Sequence, residues 1–142
     1  MSVPAYFLDT NVLVSAYLLE ESYSRRLVES ARTRSFRLLT NEYVIKELRY
    51  ALINKINASY RPVDSFILDV LAPTVLVLKN PSHEEVRRFS RKLRDRSDIP
   101  IILPCVRHKL TLVTLDSRLA ESARILVEVK SPKEAFKQIL QT

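Results

Sequence analysis

Short apolar runs alternate with stretches of helical periodicity along the whole chain. The apolar runs predict strands over residues 3–8, 36–39, 74–78, 110–114 and 125–129. Apolar residues spaced three and four apart predict helices over residues 12–20, 22–34, 41–56, 62–72, 82–93, 99–109, 117–123 and 132–140. This alternation predicts an α/β fold with a central, mostly parallel sheet of four to five strands, covered by helices on both faces.

Capping residues and prolines refine several helix boundaries. Asn41 is a favourable N-cap, and Ser82 with Glu85 forms a capping box. Pro104 falls inside the helix predicted over residues 99–109 and is expected to kink it. No linker, repeat or low-complexity segment divides the chain, so residues 1–142 are expected to form a single domain.

The residue types present leave carboxylates as the main source of chemistry. The chain contains no glycine, which excludes the phosphate-cradling P-loop and the dinucleotide-binding fingerprint. The single cysteine, Cys105, excludes a disulfide framework and a cysteine-ligated zinc site. Two histidines leave little scope for histidine-based chemistry. Aspartate and glutamate therefore become the candidates for reactive groups.

Charge and hydropathy indicate where the protein acts and what it binds. No apolar run approaches the roughly 18 residues of a membrane span, and the N-terminus lacks a signal-peptide pattern. These features predict a cytoplasmic protein with no membrane association. The net charge of +7 and the pI near 9.8 favour a polyanionic partner, nucleic acid first.

Three aspartates stand beside predicted element ends. Asp9 follows the first strand, Asp116 follows the strand over 110–114, and Asp98 precedes a helix. Because parallel strands end at one edge of a sheet, Asp9 and Asp116 are expected to lie close together. Each of the three also stands at a helix start, where aspartate is a preferred N-cap, so capping alone can account for each.

Glu47 is not explained in this way. It lies about two turns into its predicted helix, too far from the start to act on the helix dipole, whereas Glu42 lies in the first turn. Its neighbours on the helix surface include no cation; they are Tyr43, Val44, Tyr50 and Ala51. An unpaired carboxylate beside an apolar face requires a positive charge from elsewhere. Converging carboxylates would suit Mg²⁺ or Mn²⁺, which can activate a water for attack on a phosphodiester.

Four motifs resemble those of a known family. They are Leu8-Asp9-Thr10-Asn11-Val12, Lys46-Glu47-Leu48, Asp98-Ile99-Pro100-Ile101 and Leu112-Val113-Thr114-Leu115-Asp116. In order and approximate spacing the chain resembles the PIN-domain ribonucleases, especially the VapC-type toxins of prokaryotic toxin–antitoxin pairs. The resemblance implies a three-layer α/β/α sandwich and an endoribonuclease that depends on Mg²⁺ or Mn²⁺.

The resemblance also implies roles for individual residues. It assigns the metal site and catalysis to Asp9, Glu47, Asp98 and Asp116. Asp95 would be an additional acid, Thr114 a hydroxyl behind Asp9, and Asn11 a polar neighbour. The implied partners are RNA, a small antitoxin protein and a second copy of the chain.

A basic cluster precedes the predicted acids Asp95 and Asp98. It comprises Arg87, Arg88, Arg91, Lys92, Arg94 and Arg96. One interpretation is a track that leads RNA phosphates to the metal; the alternative is the solvated face of a helix. Two further functions remain open at this point: a PIN nuclease that processes RNA outside a toxin system, and a catalytically inactive RNA-binding or interaction module with the same fold.

Overall fold

A five-stranded parallel sheet forms the centre of the computed structural model, which describes residues 3–93 and 95–141. Its strands are β1 (Ala5–Leu8), β2 (Arg37–Asn41), β3 (Val75–Leu78), β4 (Thr111–Val113) and β5 (Val129–Lys130). Their order is β3-β2-β1-β4-β5, and every neighbouring pair is parallel. The predicted α/β fold is confirmed.

Helices connect the strands and make the outer layers of the three-layer α/β/α arrangement. They are α1 (Thr10–Leu18), α2 (Tyr23–Ser30), α3 (Glu42–Tyr50), α4 (Tyr60–Ser65), α5 (His83–Phe89), α6 (Ile99–His108), α7 (Ser117–Ala123) and α8 (Pro132–Leu140). Helix α3 continues as a π-helical turn over Ala51–Lys55, and α4 continues as another over Phe66–Leu71. Short 3₁₀ turns lie at Ser90–Lys92 and Arg96–Asp98. Within the described residues, no helix is both long enough and apolar enough to cross a bilayer.

The central strand is β1, which pairs with β2 on one side and with β4 on the other. The chain builds outward from β1 through β2 to β3, then crosses back to β4 and continues to β5. Strand β1 is almost continuously apolar and buried, as a strand covered on both faces must be. This order creates a topological switch point between the carboxyl ends of β1 and β4, where open α/β sheets place their binding sites.

A buried amide holds together two elements that reach this edge. Asn41 caps α3 as predicted, because its Oδ1 accepts a hydrogen bond from the Val44 N–H at 3.0 Å. Its Nδ2 donates to the Pro100 carbonyl at 2.7 Å, in the first turn of α6. One side chain therefore fixes the start of α3 relative to the start of α6.

Several predicted boundaries need correction. The fifth strand was expected over residues 125–129, but only Val129–Lys130 pairs with β4, and Ile125 is exposed. The second helix ends at Ser30 rather than at residue 34, and α5 ends at Phe89 before a 3₁₀ turn. Helix α6 runs continuously through Pro104.

Candidate active site

The candidate site is an open cleft of about 450 Å³ at the switch point between β1 and β4. Asp9 follows β1 directly, and its backbone N–H donates to the Val113 carbonyl at 3.1 Å. Asp116 lies three residues beyond the end of β4. The parallel register therefore brings together two carboxylates that are far apart in sequence, as predicted.

Asp9 is a buried carboxylate, with 4% of its surface exposed. It caps α1 by accepting the Thr10 N–H at 2.7 Å, and it also accepts the Thr114 hydroxyl at 2.8 Å. Burial raises the pKa of Asp9, and the charges of Glu47 and Asp116 raise it further, against the lowering effect of these two hydrogen bonds. The site thus holds negative charge in a place where negative charge is disfavoured.

Thr114 links the two aspartates. Its hydroxyl donates to Asp9 Oδ2 and accepts the backbone N–H of Asp116 at 3.0 Å. Asp116 in turn caps α7, because its Oδ1 accepts the N–H groups of Arg118 and Leu119. One buried hydroxyl therefore orients Asp9 and fixes the turn that presents Asp116.

A Thr114→Val variant tests this link. We expect it to lower the free energy of unfolding by about 1–3 kcal/mol, because it leaves a buried carboxylate oxygen and the Asp116 N–H without their shared partner. Urea denaturation followed by circular dichroism measures the change. Thr114→Ser keeps the hydroxyl and serves as the control, and equal losses in the two variants would point to side-chain packing instead.

Glu47 lies on the opposite wall of the cleft, on α3. Its Oε1 accepts the hydroxyl of Thr10 at 2.8 Å, and Tyr43 also hydrogen-bonds with it. Burial, the charge of Glu47 and this hydrogen bond raise the pKa of Tyr43, with smaller effects from Asp9 and Asp98. Tyr43 therefore stays a neutral hydroxyl at the wall of the cleft at neutral pH.

Asp98 is held by an arginine of α7. Both carboxylate oxygens of this buried residue accept the guanidinium of Arg118, at 2.9 Å each. Arg118 also lies 3.5 Å from Asp95, whose carboxylate accepts the N–H and the hydroxyl of Ser97. Arg118 itself is 56% exposed, so a cation at the cleft surface pairs with the buried acid that directly precedes α6.

All four predicted acids line this one cleft, but each has a protein partner. Among the residues that the structure describes, no three histidine, cysteine, aspartate or glutamate side chains are grouped as ligands of one metal ion. The donor chemistry nevertheless fits a hard divalent cation, because it consists of carboxylate oxygens. Asp9 is the buried member of this set, and its pKa is raised by burial and by the charges of Glu47 and Asp116.

Comparison with known families decides which fold family this is. The family model of the PIN domain matches residues 6–125, which is most of the chain. The chain belongs to the PIN domain family. PIN domains are nucleases and generally depend on divalent metals. A comparison with functionally curated proteins finds no significant match.

Solved structures share the architecture of this PIN domain at low sequence identity. PAE2754 from Pyrobaculum aerophilum is 17% identical with a TM-score of 0.71, over 100% of this chain and 98% of that one. VapBC2 from Rickettsia felis, bound to a DNA fragment from its promoter, is 17% identical with a TM-score of 0.63, over 89% and 98%. FitAcB from Neisseria gonorrhoeae is 19% identical with a TM-score of 0.58, over 90% and 98%.

The predicted supporting residues of this PIN domain lie near the acids. Asn11 lines the cleft, and its Oδ1 accepts the backbone N–H of Leu115 at 3.1 Å, which ties α1 to the loop before Asp116. Asp95 lies outside the cleft wall but reaches it through Arg118. Asn11 and Asp95 therefore lie where they can support the acids of the cleft, and the catalytic role of Asp95 stays a prediction.

The predicted basic track lies elsewhere. The exposed residues of this cluster that the structure describes, Arg87, Arg88, Arg91, Lys92 and Arg96, do not line the cleft. Arg94 lies outside the described residues. Two members have local partners: Arg88 pairs with Glu84 at 2.6 Å, and Lys92 lies over the ring of Phe89. Their role in binding RNA stays a prediction.

Sequence reasoning missed the cations of the cleft itself, Arg118 and Lys55. A signal for Arg118 existed. It stands in the first turn of α7, where the helix dipole disfavours a positive charge. Such a cation requires an acid from elsewhere in the fold, just as Glu47 requires a cation. No comparable signal exists for Lys55, because nothing in the sequence distinguishes it from the other exposed lysines.

Proposed function

We propose that this PIN domain is a metal-dependent endoribonuclease that acts in the cytoplasm as the toxin of a VapBC-type toxin–antitoxin pair. The observation that carries the nuclease activity is the buried carboxylate of Asp9, whose pKa is raised by burial and by Glu47 and Asp116. A carboxylate in this setting favours a cation in the adjoining cleft. A bound cation would neutralise this acid and its neighbours, and would thereby reduce their repulsion of the phosphates of a polyanionic substrate.

Mg²⁺ or Mn²⁺ would be held by Asp9, Glu47, Asp98 and Asp116, which line the same cleft. When bound, such a cation supplies the positive charge that offsets the repulsion between the carboxylates and polarises the scissile phosphate. A cation at Asp98 would compete with Arg118, which now bonds both oxygens of that carboxylate. Release of Arg118 from Asp98 would return a guanidinium to the cleft, where it can bind a phosphate oxygen.

Water is the proposed nucleophile, because the chain offers no suitable side chain. Cys105 is buried, donates to the Ile101 carbonyl, and has its thiol pKa raised by burial and by the charge of Asp9. His83 and His108, both within the described chain, do not line the cleft. The remaining cleft residues orient groups: Thr114 holds Asp9 and Tyr43 holds Glu47.

The proposal of a toxin rests on fold relatives and on charge. The named neighbours VapBC2 and FitAcB share this architecture over most of the chain. By analogy, the partners proposed here are RNA, a small antitoxin and a second copy of this chain. A net charge of +7 favours both RNA and an acidic antitoxin segment.

Cleavage of single-stranded RNA by the purified protein in Mn²⁺ and in EDTA tests the nuclease. We expect cleavage with Mn²⁺ only, and a loss of at least about 10- to 100-fold in Glu47→Gln, because even a group that only orients a metal ligand has effects of this size. Glu121→Gln is the control: Glu121 is an exposed glutamate of α7 that does not line the cleft. Cleavage in EDTA, or full activity of Glu47→Gln, would contradict the proposal.

One observation favours a second candidate, an RNA-binding module without catalysis. The ion pair between Arg118 and Asp98 already neutralises an acid that the metal would need. Isothermal titration calorimetry, which measures the affinity for Mn²⁺, separates the two candidates, because a metal-dependent nuclease must bind the ion and an inactive module need not. A nuclease that processes RNA outside a toxin system would bind Mn²⁺ as well, and the absence of any antitoxin partner in pull-downs from the native host would favour it.

A further inference from the structure

A second depression opens directly beside the acidic cleft. It has a volume of about 480 Å³, and its wall includes Tyr43, Lys46, Tyr50, Lys55 and Asn80. We call it the lysine groove. Five residues line both depressions: Thr10, Tyr43, Glu47, Ala51 and Lys55. The groove is therefore a continuation of the candidate active site and not a separate cavity.

Helical spacing places the groove's side chains on one face of α3. Tyr43, Lys46 and Tyr50 follow at intervals of three and four residues, so they share one side of the helix. After Tyr50 the helix changes to a π-helical turn, in which hydrogen bonds join residues five apart, as from the Ile56 N–H to the Ala51 carbonyl. Lys55 lies four residues after Ala51 and both line the groove, so the face of α3 continues along this turn.

The cleft is net acidic and the groove is net basic. Among the described residues that line them, the cleft has Asp9, Glu47, Asp98 and Asp116 against Lys55 and Arg118, whereas the groove has the exposed Lys46 and Lys55 against Glu47 alone. No ion pair joins either lysine to a residue within the described parts of the chain. A polyanion is repelled by the acids and needs a nearby positive surface to bind, which these lysines provide.

Tyr50 offers an open aromatic face on the same wall. Its side chain is 59% exposed, and its ring contacts no aromatic or cationic side chain in the described chain. Tyr60 is 61% exposed and makes a useful contrast, because the guanidinium of Arg49 covers its ring at 5.3 Å and it lines no part of the groove. Of these two exposed tyrosines, only Tyr50 combines a free face with a position next to the acids.

We infer that the lysine groove binds single-stranded RNA next to the cleaved bond, with a base stacked on Tyr50 and neighbouring phosphates on Lys46 and Lys55. This inference rests on the proposed nuclease function and adds its substrate path. The ligand is single-stranded because the bases of a duplex are paired and stacked on each other, so they present no free face to a tyrosine ring. The path runs over α3 and its π-helical turn, and not over the basic cluster of α5.

Fluorescence anisotropy with a labelled single-stranded RNA of mixed sequence, in EDTA to prevent cleavage, tests the inference on the full chain. Stacking on one side chain contributes about 1–3 kcal/mol, so Tyr50→Ala is expected to weaken binding by about 5- to 150-fold. Tyr50→Trp keeps a stacking surface and should retain affinity. Tyr60→Ala is the matched control, with equal exposure of the replaced ring and no expected change in affinity.

Salt titrations report on the lysines. Lys55→Ala should reduce the slope of log affinity against log salt by about 0.7, the value for one phosphate contact on a single strand. Lys137→Ala on α8, which lines neither depression, should leave the slope unchanged. A self-complementary RNA duplex should bind with the same affinity to wild type and to Tyr50→Ala.

The outcomes separate this inference from the nuclease proposal. Equal RNA affinity of Tyr50→Ala and wild type, an equal loss in Tyr60→Ala, or no RNA binding by the wild type overturns the inference. If RNA binding depends on Tyr50 while Mn²⁺ produces no cleavage, the groove is supported and the nuclease proposal fails. If the wild type and Tyr50→Ala cleave RNA at equal rates and bind it with equal affinity, the nuclease proposal stands and only the inference about the lysine groove is rejected.

Discussion

An Asp9→Asn variant will cleave RNA at least about 100-fold more slowly than the wild type, because it removes a proposed anionic metal ligand. Loss of a group that only orients a metal ligand already lowers activity by about 10- to 100-fold, so loss of the ligand itself should cost at least as much. Binding of single-stranded RNA in EDTA should persist, since the lysine groove is unchanged. Gel-based cleavage assays with Mn²⁺ and anisotropy measurements in EDTA separate the two effects.

The same substitution should leave the fold intact, for an electrostatic reason. Burial is the main cause of the raised pKa of Asp9, with contributions from Glu47 and Asp116. A carboxyl with a raised pKa in the folded state stabilises the fold at pH values below its unfolded pKa, and this contribution is lost as the pH rises through the folded pKa. At neutral pH without metal, the charge of Asp9 therefore opposes folding. Asparagine removes the charge at the cost of about one hydrogen bond, so the free energy of unfolding should change by no more than about 1 kcal/mol.

Thermal melts with and without Mn²⁺ complete this test. Mn²⁺ should raise the melting temperature of the wild type and have little effect on Asp9→Asn, because a ligand stabilises only the state that binds it. Asp69→Asn, which alters an exposed aspartate outside the cleft, should respond to Mn²⁺ like the wild type. An Asp9→Asn protein that keeps both the Mn²⁺ shift and the cleavage rate would remove Asp9 from the metal site.

Replacing Arg118 with alanine will tighten Mn²⁺ binding by about tenfold, within the usual range of coupling between two linked equilibria. The guanidinium now holds both carboxylate oxygens of Asp98, so the metal must displace it. Without metal, the variant should melt below the wild type, since buried Asp98 loses its counter-charge. Adding Mn²⁺ should narrow that difference, because the ion replaces the lost cation.

Calorimetric titration of Mn²⁺ measures the first effect and thermal melts measure the second. Arg118→Lys keeps a cation without the paired donors and should give an intermediate affinity. Arg124→Ala, an exposed arginine at the end of the same helix, should bind Mn²⁺ like the wild type. Unchanged Mn²⁺ affinity in Arg118→Ala would show that the ion pair and the metal do not compete. Binding only after Arg118 is removed would favour the inactive module as the role of the natural chain.

The sequence pattern predicted four of the strands closely and the edge strand β5 poorly. Strand β1 is buried on both faces, so an apolar run identifies it without ambiguity. Four of the five residues over 125–129 are apolar as well, yet Ile125 is 87% exposed and only Val129–Lys130 pairs with β4. An apolar residue can lie on the surface of a protein, and local composition does not reveal whether a partner covers it.

The acids of the cleft were predictable for different reasons. The strand order places Asp9 and Asp116 together, and Glu47 lacked a local cationic partner. In the structure its partners are both local and distant: Tyr43, one turn earlier on α3, hydrogen-bonds with Glu47, and so does the hydroxyl of Thr10, 37 residues away. Side-chain pairing of this kind depends on tertiary packing, so the sequence pattern could not predict that Arg118 would hold Asp98.

The π-helical turn at Ala51–Lys55 also lay beyond prediction. Helical periodicity over residues 41–56 fits one continuous α-helix, and the substitution of one turn type for another leaves the apolar pattern almost unchanged. The groove is also bounded by residues from distant parts of the chain, since Thr10 and Asn80 line it beside α3. Its shape could therefore be recognised only from the structure.

The hydrogen bond from Thr114 to Asp9 joins residues separated by 105 positions in the chain. During synthesis, the first acid of the site leaves the ribosome long before the strand that must lie beside it. Because a parallel pairing over such a separation forms late, the growing chain carries no assembled site while most of it is being translated. For a protein proposed to cut RNA, this order of events keeps the activity from appearing next to the messenger that encodes it until β4 and the start of α7 have emerged.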